Sequence, residues 1–284
     1  MRKEKGGLIA LVRTDCSWKY VSKTLSKIAP CVYWFHQTDE DIREIIFNAS
    51  DGDHPSIADF RYSGTSEKQV LLPDPHFFRD RGYANTDAFA ANNPIDWNAR
   101  SDDIIWRGGA NGLGHWTVDE ATVTLPGVMQ RLHMAHKCTS LDIDFRFVTK
   151  PGRHDYHPLK RAGFIGDYVP SHDWGAKKYA IDIDGYTNAW SNFMQRLKLG
   201  CCVLKVDSPF KYRQWYYDRI QPWEHFVPIK SDLSDLQQQV DWVRTNPEKA
   251  REIASNGQSF ARALTFESEN SYAIKAIEKH ALST

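Results

Sequence analysis

Short apolar runs recur along this chain, each closed by a loop rich in glycine, asparagine or aspartate, and most are followed by helical spacing. Runs of that length bounded by turn formers read as strands, and apolar residues three and four apart read as helices. Strand character falls at 7–12, 31–35, 42–47, 104–106, 141–148, 179–183, 202–206 and 226–229, and helical spacing at 21–28, 127–137 and 189–199. Strands that alternate with helices favour α/β layers built on parallel sheets.

A polar stretch at 84–102, holding Asn85, Asn92, Asn93, Pro94 and Asn98, reads as a linker between two such series. The expected organisation is two Rossmann-like domains, residues 1–100 and 101–265. A terminal helix within 266–284 is expected to pack back on the first domain. Ser231-Asp-Leu-Ser234-Asp-Leu236, with its capping residue types, is expected to start one late helix, and Pro247 to open another.

Several function classes lack support. Lys and Arg number 36 against 36 Asp and Glu, so the chain has no net positive charge with which to hold bare nucleic acid. Among the histidines no His-Glu-x-x-His spacing occurs, and Gly-x-Ser-x-Gly is absent, so neither zinc nor serine hydrolysis is indicated. The cysteines, Cys16, Cys31, Cys138, Cys201 and Cys202, are odd in number and form no Cys-x-x-Cys pair. Reduced thiols and a cytoplasmic location are the plain expectation. The 10 Trp, 12 Tyr and 14 Phe mostly fill core, with some available as stacking platforms for a base or a sugar.

Two loops carry the candidate chemistry. In Trp106-Arg107-Gly108-Gly109-Ala110-Asn111-Gly112, a strand ends in a glycine-rich turn whose backbone N–H groups could meet a diphosphate beside the Arg107 fork. The same residues also suit an ordinary tight turn with a surface arginine. In Asp182-Ile-Asp184-Gly185-Tyr186-Thr187-Asn188-Ala189-Trp190-Ser191, a buried strand runs through a small polar loop into a helix start, where N–H dipoles favour an anion. An ordinary strand–loop–helix connection fits that segment equally. Asp142/Asp144 and Asp182/Asp184 are Asp-x-Asp pairs, each on one strand face, a spacing that can hold a divalent cation or merely solvate an edge. Asp51 and Asp53 follow a strand and could take the proton from an attacking hydroxyl, or simply cap a turn.

Lys178 to Gly185, Trp190-Ser191, Cys202 to Lys205, Gln214 to Tyr217, Pro222 to Pro228 and Asp232 to Leu236 occur in an order that resembles glycosyltransferase family 90. Trp242, Asn246, Ala250 and Phe260 continue the likeness, and Trp106-Arg107-Gly108 extends it upstream, so that it spans about residues 101–265. The resemblance implies a GT-B arrangement, two Rossmann-like domains facing a central cleft, and an inverting, metal-independent transfer from a UDP-sugar. No cofactor or metal is expected on that reading. Arg107, Gly108, Asn111 and Gly112 would then bind the donor together with Asp184, Gly185, Tyr186, Thr187, Asn188, Ala189, Trp190 and Ser191. The helix after the Gly185 loop departs from the family pattern, with Phe193 where many members carry an arginine. Either Arg196 or a lysine would supply the second charge, or Arg107 and backbone N–H groups alone would hold the diphosphate. An Asp-x-Pro of the family's animal members matches Asp53-His54-Pro55, which makes Asp53 the expected base and Asp51 the alternative.

The expected partners are a UDP-sugar and a glycan or glycolipid acceptor, such as a lipopolysaccharide core. Lys150, Arg153, Lys160 and Arg161 suggest a peripheral contact with the cytoplasmic face of a membrane. Two other readings remain open: a protein O-glycosyltransferase, and a nucleotide-sugar-binding module without transfer.

Overall fold

In the computed structural model, residues 1–5, 7–11, 18–39, 41–52 and 56–281 are described. Elements β1 (Arg2–Glu4), β2 (Gly7–Ile9), α1 (Trp18–Gln37), β3 (Phe47–Asn48), β4 (Phe60–Arg61), β5 (Val70–Leu71), α2 (Pro75–Arg79) and α3 (Ala84–Asn92) come first. They are followed by β6 (Ser101–Gly108), α4 (Gln130–Cys138), β7 (Ile143–Phe147), α5 (Tyr156–Arg161), β8 (Lys177–Asp182), α6 (Trp190–Lys198) and β9 (Cys202–Val206). The chain then forms β10 (Val227–Ile229), α7 (Leu236–Thr245), α8 (Pro247–Ala263) and α9 (Phe266–Ala281).

The chain divides into two compact units. The first holds Met1–Ala84, Phe210–Asp218 and Leu264–Thr284, and the second holds Asn85–Pro209 and Arg219–Ala263. These bounds differ from the sequence reading at residues 85–100 and 210–218, and by two residues at Leu264 and Thr265, which join the first unit. Residues 85–100 join the second unit, because the expected linker is folded as α3 and a short 3-10 turn at Trp97–Ala99, with Trp97 buried. Phe210–Asp218 joins the first unit, where Trp215 and Tyr216 are buried.

Parallel sheets make the α/β class evident. In the second unit β10-β9-β8-β6-β7 form one five-stranded sheet in which every pairing is parallel. Inner strand β9 is buried at all five positions, whereas edge strand β7 alternates between buried and half-buried. That contrast is expected of a strand covered on both faces and of one at the rim. Val203, Leu204 and Val206 are fully buried, and each such side chain contributes about 1.5–3 kcal/mol. Helix α6 buries Phe193, Met194 and Leu197.

In the first unit β3, β4 and β5 form a parallel three-stranded sheet, and β1 pairs antiparallel with β2. Helix α1 packs on α2 and α9. Residues 31–35, expected as a strand, lie inside α1, with Pro30 also within the helix. Cys31, Trp34 and Phe35 are buried together, a three-and-four spacing that a short apolar run shares with a covered strand. The run at 42–47 likewise yields only Phe47, the first residue of β3. Gly7–Ile9 is a strand, but residues 12–17, including Cys16, lie outside the described residues.

Candidate active site

The strand order of the second unit fixes where a ligand can enter. From β6 the chain adds β7 on one side, then crosses to place β8 on the other side of β6. The connections that follow the carboxyl ends of β6 and β8 therefore run to opposite sides, and ligands of open α/β sheets bind in the crevice at such a switch point. The two loops singled out in the sequence are those that leave these strand ends.

They approach closely because both carry glycine where a side chain would intrude. A Cβ on Gly112 would lie 3.3 Å from Gly185 O and 3.0 Å from Met129 Cγ. One on Gly185 would lie 3.1 Å from Asn111 Nδ2 and 3.2 Å from Arg131 Nη2. At Gly108, the last residue of β6, it would strike the Trp106 ring. That ring stacks on Phe145 with centroids 4.1 Å apart and planes 8° from parallel.

Arg131, which the sequence reading did not single out, joins the loops. Its Nη1 donates to Gly109 O at 2.9 Å and to Asn111 Oδ1 at 2.5 Å, and Nη2 donates to Ile183 O at 3.0 Å. The guanidinium lies over the Trp106 ring, 5.2 Å from its centroid. Burial pulls its pKa down to about 10, opposed by the charges of Asp184 and Asp182.

Asp182 and Asp184 form the acidic floor beside it. Asp182 ends β8 opposite Lys205 of β9 and accepts from Lys205 Nζ at 2.8 Å, with both side chains buried. Asp184 is 5% exposed. Its Oδ1 accepts from Asn188 Nδ2 at 3.4 Å, and Ser208 also hydrogen-bonds its side chain. Burial raises the Asp184 pKa to about 6, against the pull of Lys205. Asp182 Oδ1, Asp184 Oδ2 and Arg131 Nε are buried without a hydrogen-bond partner. Such unpaired atoms are costly in a folded protein and call for an explanation.

Beyond Gly185 the loop holds its own shape. Gly185 N donates to Thr187 O at 2.8 Å, and Trp190 Nε1 donates to Thr187 Oγ1 at 3.2 Å. Thr187 and Asn188 are buried, while Tyr186 is exposed. Helix α6 follows, with Ala189 at its N-cap supplying no side-chain bond and no acid in its first turn. Ser191 lies in that turn, half-buried. An uncapped helix start directed at the carboxyl end of a sheet favours an anion.

Arg107 is held differently from what its loop suggested. Its Nη2 donates to Asp144 Oδ2 at 2.6 Å, Nη1 to Asp144 O and Trp106 O at 2.9 Å each, and Nε to Asp167 O at 3.0 Å. Most of the fork is thus spent on β7 and the loop before β8. A cavity of about 380 Å³ opens between Gly109–Asn111 and Val148–Lys150, with Arg153 and Asp155 also in its wall.

The position of Phe193 is likewise explained by packing. It is fully buried, meets Phe226 edge-on at 5.6 Å, and carries Lys205 Nζ 4.8 Å above its ring. Arg196 rests on the face of Trp174, 3.6 Å from the centroid, and is 7% exposed. Lys205 is therefore the cation beside Phe193. A lysine in the otherwise apolar run Cys202–Val206 and an arginine between Met129 and Leu132 were the available signals, since charges are buried only when partnered.

Asp142 and Asp144, the other Asp-x-Asp pair, face Arg244 and Arg107. Among the described residues no three His, Cys, Asp or Glu side chains cluster as metal ligands would. In the first unit, Asp51 Oδ1 accepts from Lys27 Nζ at 2.5 Å. Asp53, His54 and Pro55 lie outside the described residues.

A doubly wound parallel sheet with two glycine-bearing loops and an uncapped helix at its switch point defines an α/β domain of the ligand-crevice class. Residues 132–282 match glycosyl transferase family 90, and the chain belongs to that family. It is 43% identical over 93 residues to Protein O-glucosyltransferase 3 of Homo sapiens, covering 32% of this chain and 18% of that protein. It is 35% identical over 133 residues to Protein O-glucosyltransferase 2 of Danio rerio, covering 45% of this chain and 25% of that one. The matches thus span a quarter or less of those relatives' length. A solved structure, Anabaena Alr3699/HepE in complex with UDP-glucose, aligns with 69% of this chain and 53% of its own at 10% identity. Its TM-score is 0.41, too loose a likeness to carry an inference.

Proposed function

We propose that this protein is an inverting, metal-independent glycosyltransferase that moves a sugar from a UDP-sugar to a hydroxyl acceptor. The observation that carries the reading is the crevice between the ends of β6 and β8. Gly112 and Gly185 meet there beside three buried, unpartnered polar atoms and the open start of α6. Backbone N–H groups at the α6 start suit the diphosphate. Asp184 Oδ2 suits a sugar or ribose hydroxyl, which can donate to it. On this proposal Gly108, Asn111 and Gly112 line one wall, and Asp184 to Ser191 line the other. Arg107 joins them only by exchanging Asp144 Oδ2 for a phosphate oxygen.

In the reaction, Asp53 takes the proton of the acceptor hydroxyl as its oxygen bonds to the anomeric carbon from the face opposite UDP. The bond from that carbon to the diphosphate oxygen breaks, and its electron pair leaves with UDP. Asp51, engaged by Lys27, is the alternative base. The GT-B class belongs to the same proposal.

For the acceptor, the exposed Lys150, Arg153, Lys160 and Arg161 favour an anionic glycan or glycolipid, such as a lipopolysaccharide core met at a membrane surface. No described helix is long and apolar enough to cross a membrane. The names of the two O-glucosyltransferase relatives favour a second reading, a protein hydroxyl. The deciding experiment incubates the protein with a panel of UDP-sugars, glycolipid acceptors and folded protein acceptors, and follows UDP release and product mass. No UDP binding and no product with any donor overturns the enzyme reading. UDP binding without product from any acceptor supports a binding module instead.

A further inference from the structure

Arg131 differs from the carboxylate-paired cations of its unit. It shares with Arg196 a buried guanidinium over a Trp ring and a nitrogen without a partner, but of these two it is Arg131 that lies against the crevice loops. Lys205 lies on Asp182 at 2.8 Å, Lys198 on Asp87 at 2.7 Å and Arg107 on Asp144 at 2.6 Å, while Arg196 rests on the Trp174 ring. Arg131 is 6% exposed, and its hydrogen bonds all go to uncharged oxygens, those of Gly109, Asn111 and Ile183. Its Nε has no partner. Asp184 and Asp182 act on it only through space, and Asp182 is already engaged by Lys205.

A buried charge without a close counter-ion is costly, by several kcal/mol in general. Holding two loops together does not require such a charge, because neutral amide groups can donate to carbonyl oxygens equally well. The cost is offset if an anion arrives over the surface that the guanidinium supports. That surface is the junction of Gly109–Asn111 with Ile183–Gly185, the wall of the crevice.

We propose that Arg131 is an electrostatic positioning residue, one that fixes the two loops as a single surface and supplies, from beneath them, the positive charge that offsets the donor's diphosphate. This rests on the crevice being the UDP-sugar site. Arg131 touches the loops rather than the ligand, so its effect is read in affinity for the phosphates and not for the nucleoside. The neighbouring α6 start and Lys205 contribute charge of the same sign, and the acids facing it are Asp182 and Asp184.

The test compares UDP with uridine, which lacks both phosphates, by calorimetry with displacement titrations on the full chain. Arg131→Gln keeps amide donors and removes the charge, whereas Arg131→Lys keeps the charge and loses the fork. The expected result for Arg131→Gln is UDP affinity lower by at least about tenfold with uridine affinity changed less than about twofold. Arg131→Lys should keep UDP affinity within about threefold of the parent. Equal losses for UDP and uridine in Arg131→Gln, or no loss for UDP, overturn the proposal. If Arg131→Gln does not fold, Arg131→Lys decides: a retained preference for UDP over uridine supports the proposal, and its collapse overturns it. A parent protein that binds no UDP overturns the site reading itself, and the role of Arg131 with it. UDP binding that ignores the charge at 131 overturns only the latter.

Discussion

Lys205 Nζ donates to Asp182 Oδ2 at 2.8 Å, and the Cα atoms of the two residues face each other across β8 and β9. The pair is buried on both sides. Removing one partner leaves the other charge stranded, which generally costs about 3–5 kcal/mol. Lys205→Met should therefore lower unfolding stability by about that amount in urea titration. The double change with Asp182→Asn should recover more than half of it. A single variant as stable as the parent would show that the pair contributes nothing net.

Asp184 gives a pH signature. Burial raises its carboxyl from an ordinary 3.8 to about 6. Between those values the folded chain holds a proton that the unfolded chain has released. Stability contributed by that proton is present at low pH and is lost as pH rises through about 6. Asp184→Asn should flatten that part of the profile and gain up to about 3 kcal/mol at neutral pH. Asp74, also raised to about 6, titrates in the other unit. Subtracting the variant's profile from the parent's isolates Asp184. Identical slopes in urea titrations between about pH 4 and pH 7 would refute the assignment.

The Arg107–Asp144 pair tests whether Arg107 reaches the diphosphate. Freed from Asp144 by Asp144→Ala, the guanidinium should strengthen UDP binding by about two- to fivefold. The gain should vanish when Arg107→Ala is added. If Arg107→Ala leaves UDP affinity untouched and lowers only the unfolding midpoint, Arg107 serves the sheet edge alone.

The base is tested by separating affinity from turnover. Asp53→Asn should keep UDP affinity and lower kcat by about 100-fold or more. Asp51→Asn, which removes the charge facing Lys27, should cost less than about tenfold. Full turnover in Asp53→Asn together with loss in Asp51→Asn would exchange the two roles.

The second unit was the more legible in sequence, and the reason is local. At 179–183 and 202–206 each buried strand is bounded by turn formers, and the helical spacing at 189–199 agrees with α6 to within a residue at either end. The first unit misled at Pro30. Residues 21–28 and 31–35 read as separate elements, yet α1 runs through this proline, which normally stops a helix, and buries Trp34 and Phe35. At the site, both loops were legible because their glycines and helix start are marked in the chain itself. Arg131 and Lys205 were not, since what sets them apart is which oxygens they face, and those lie 20–52 and 23 residues away.

The first unit is closed by the last helix of the described chain. Trp34 Nε1 donates to Asn270 Oδ1 at 2.6 Å across 236 positions, and Trp215 Nε1 donates to Glu269 Oε2 at 2.7 Å. During synthesis both indoles emerge from the ribosome well before the helix that satisfies them. The sheet of β6 to β10, by contrast, is complete in the nascent chain once residue 229 has emerged. Assembly is thus out of step with translation: the indoles of Trp34 and Trp215 wait for α9 to emerge before they are satisfied, and apolar surface left open for such an interval is prone to aggregate.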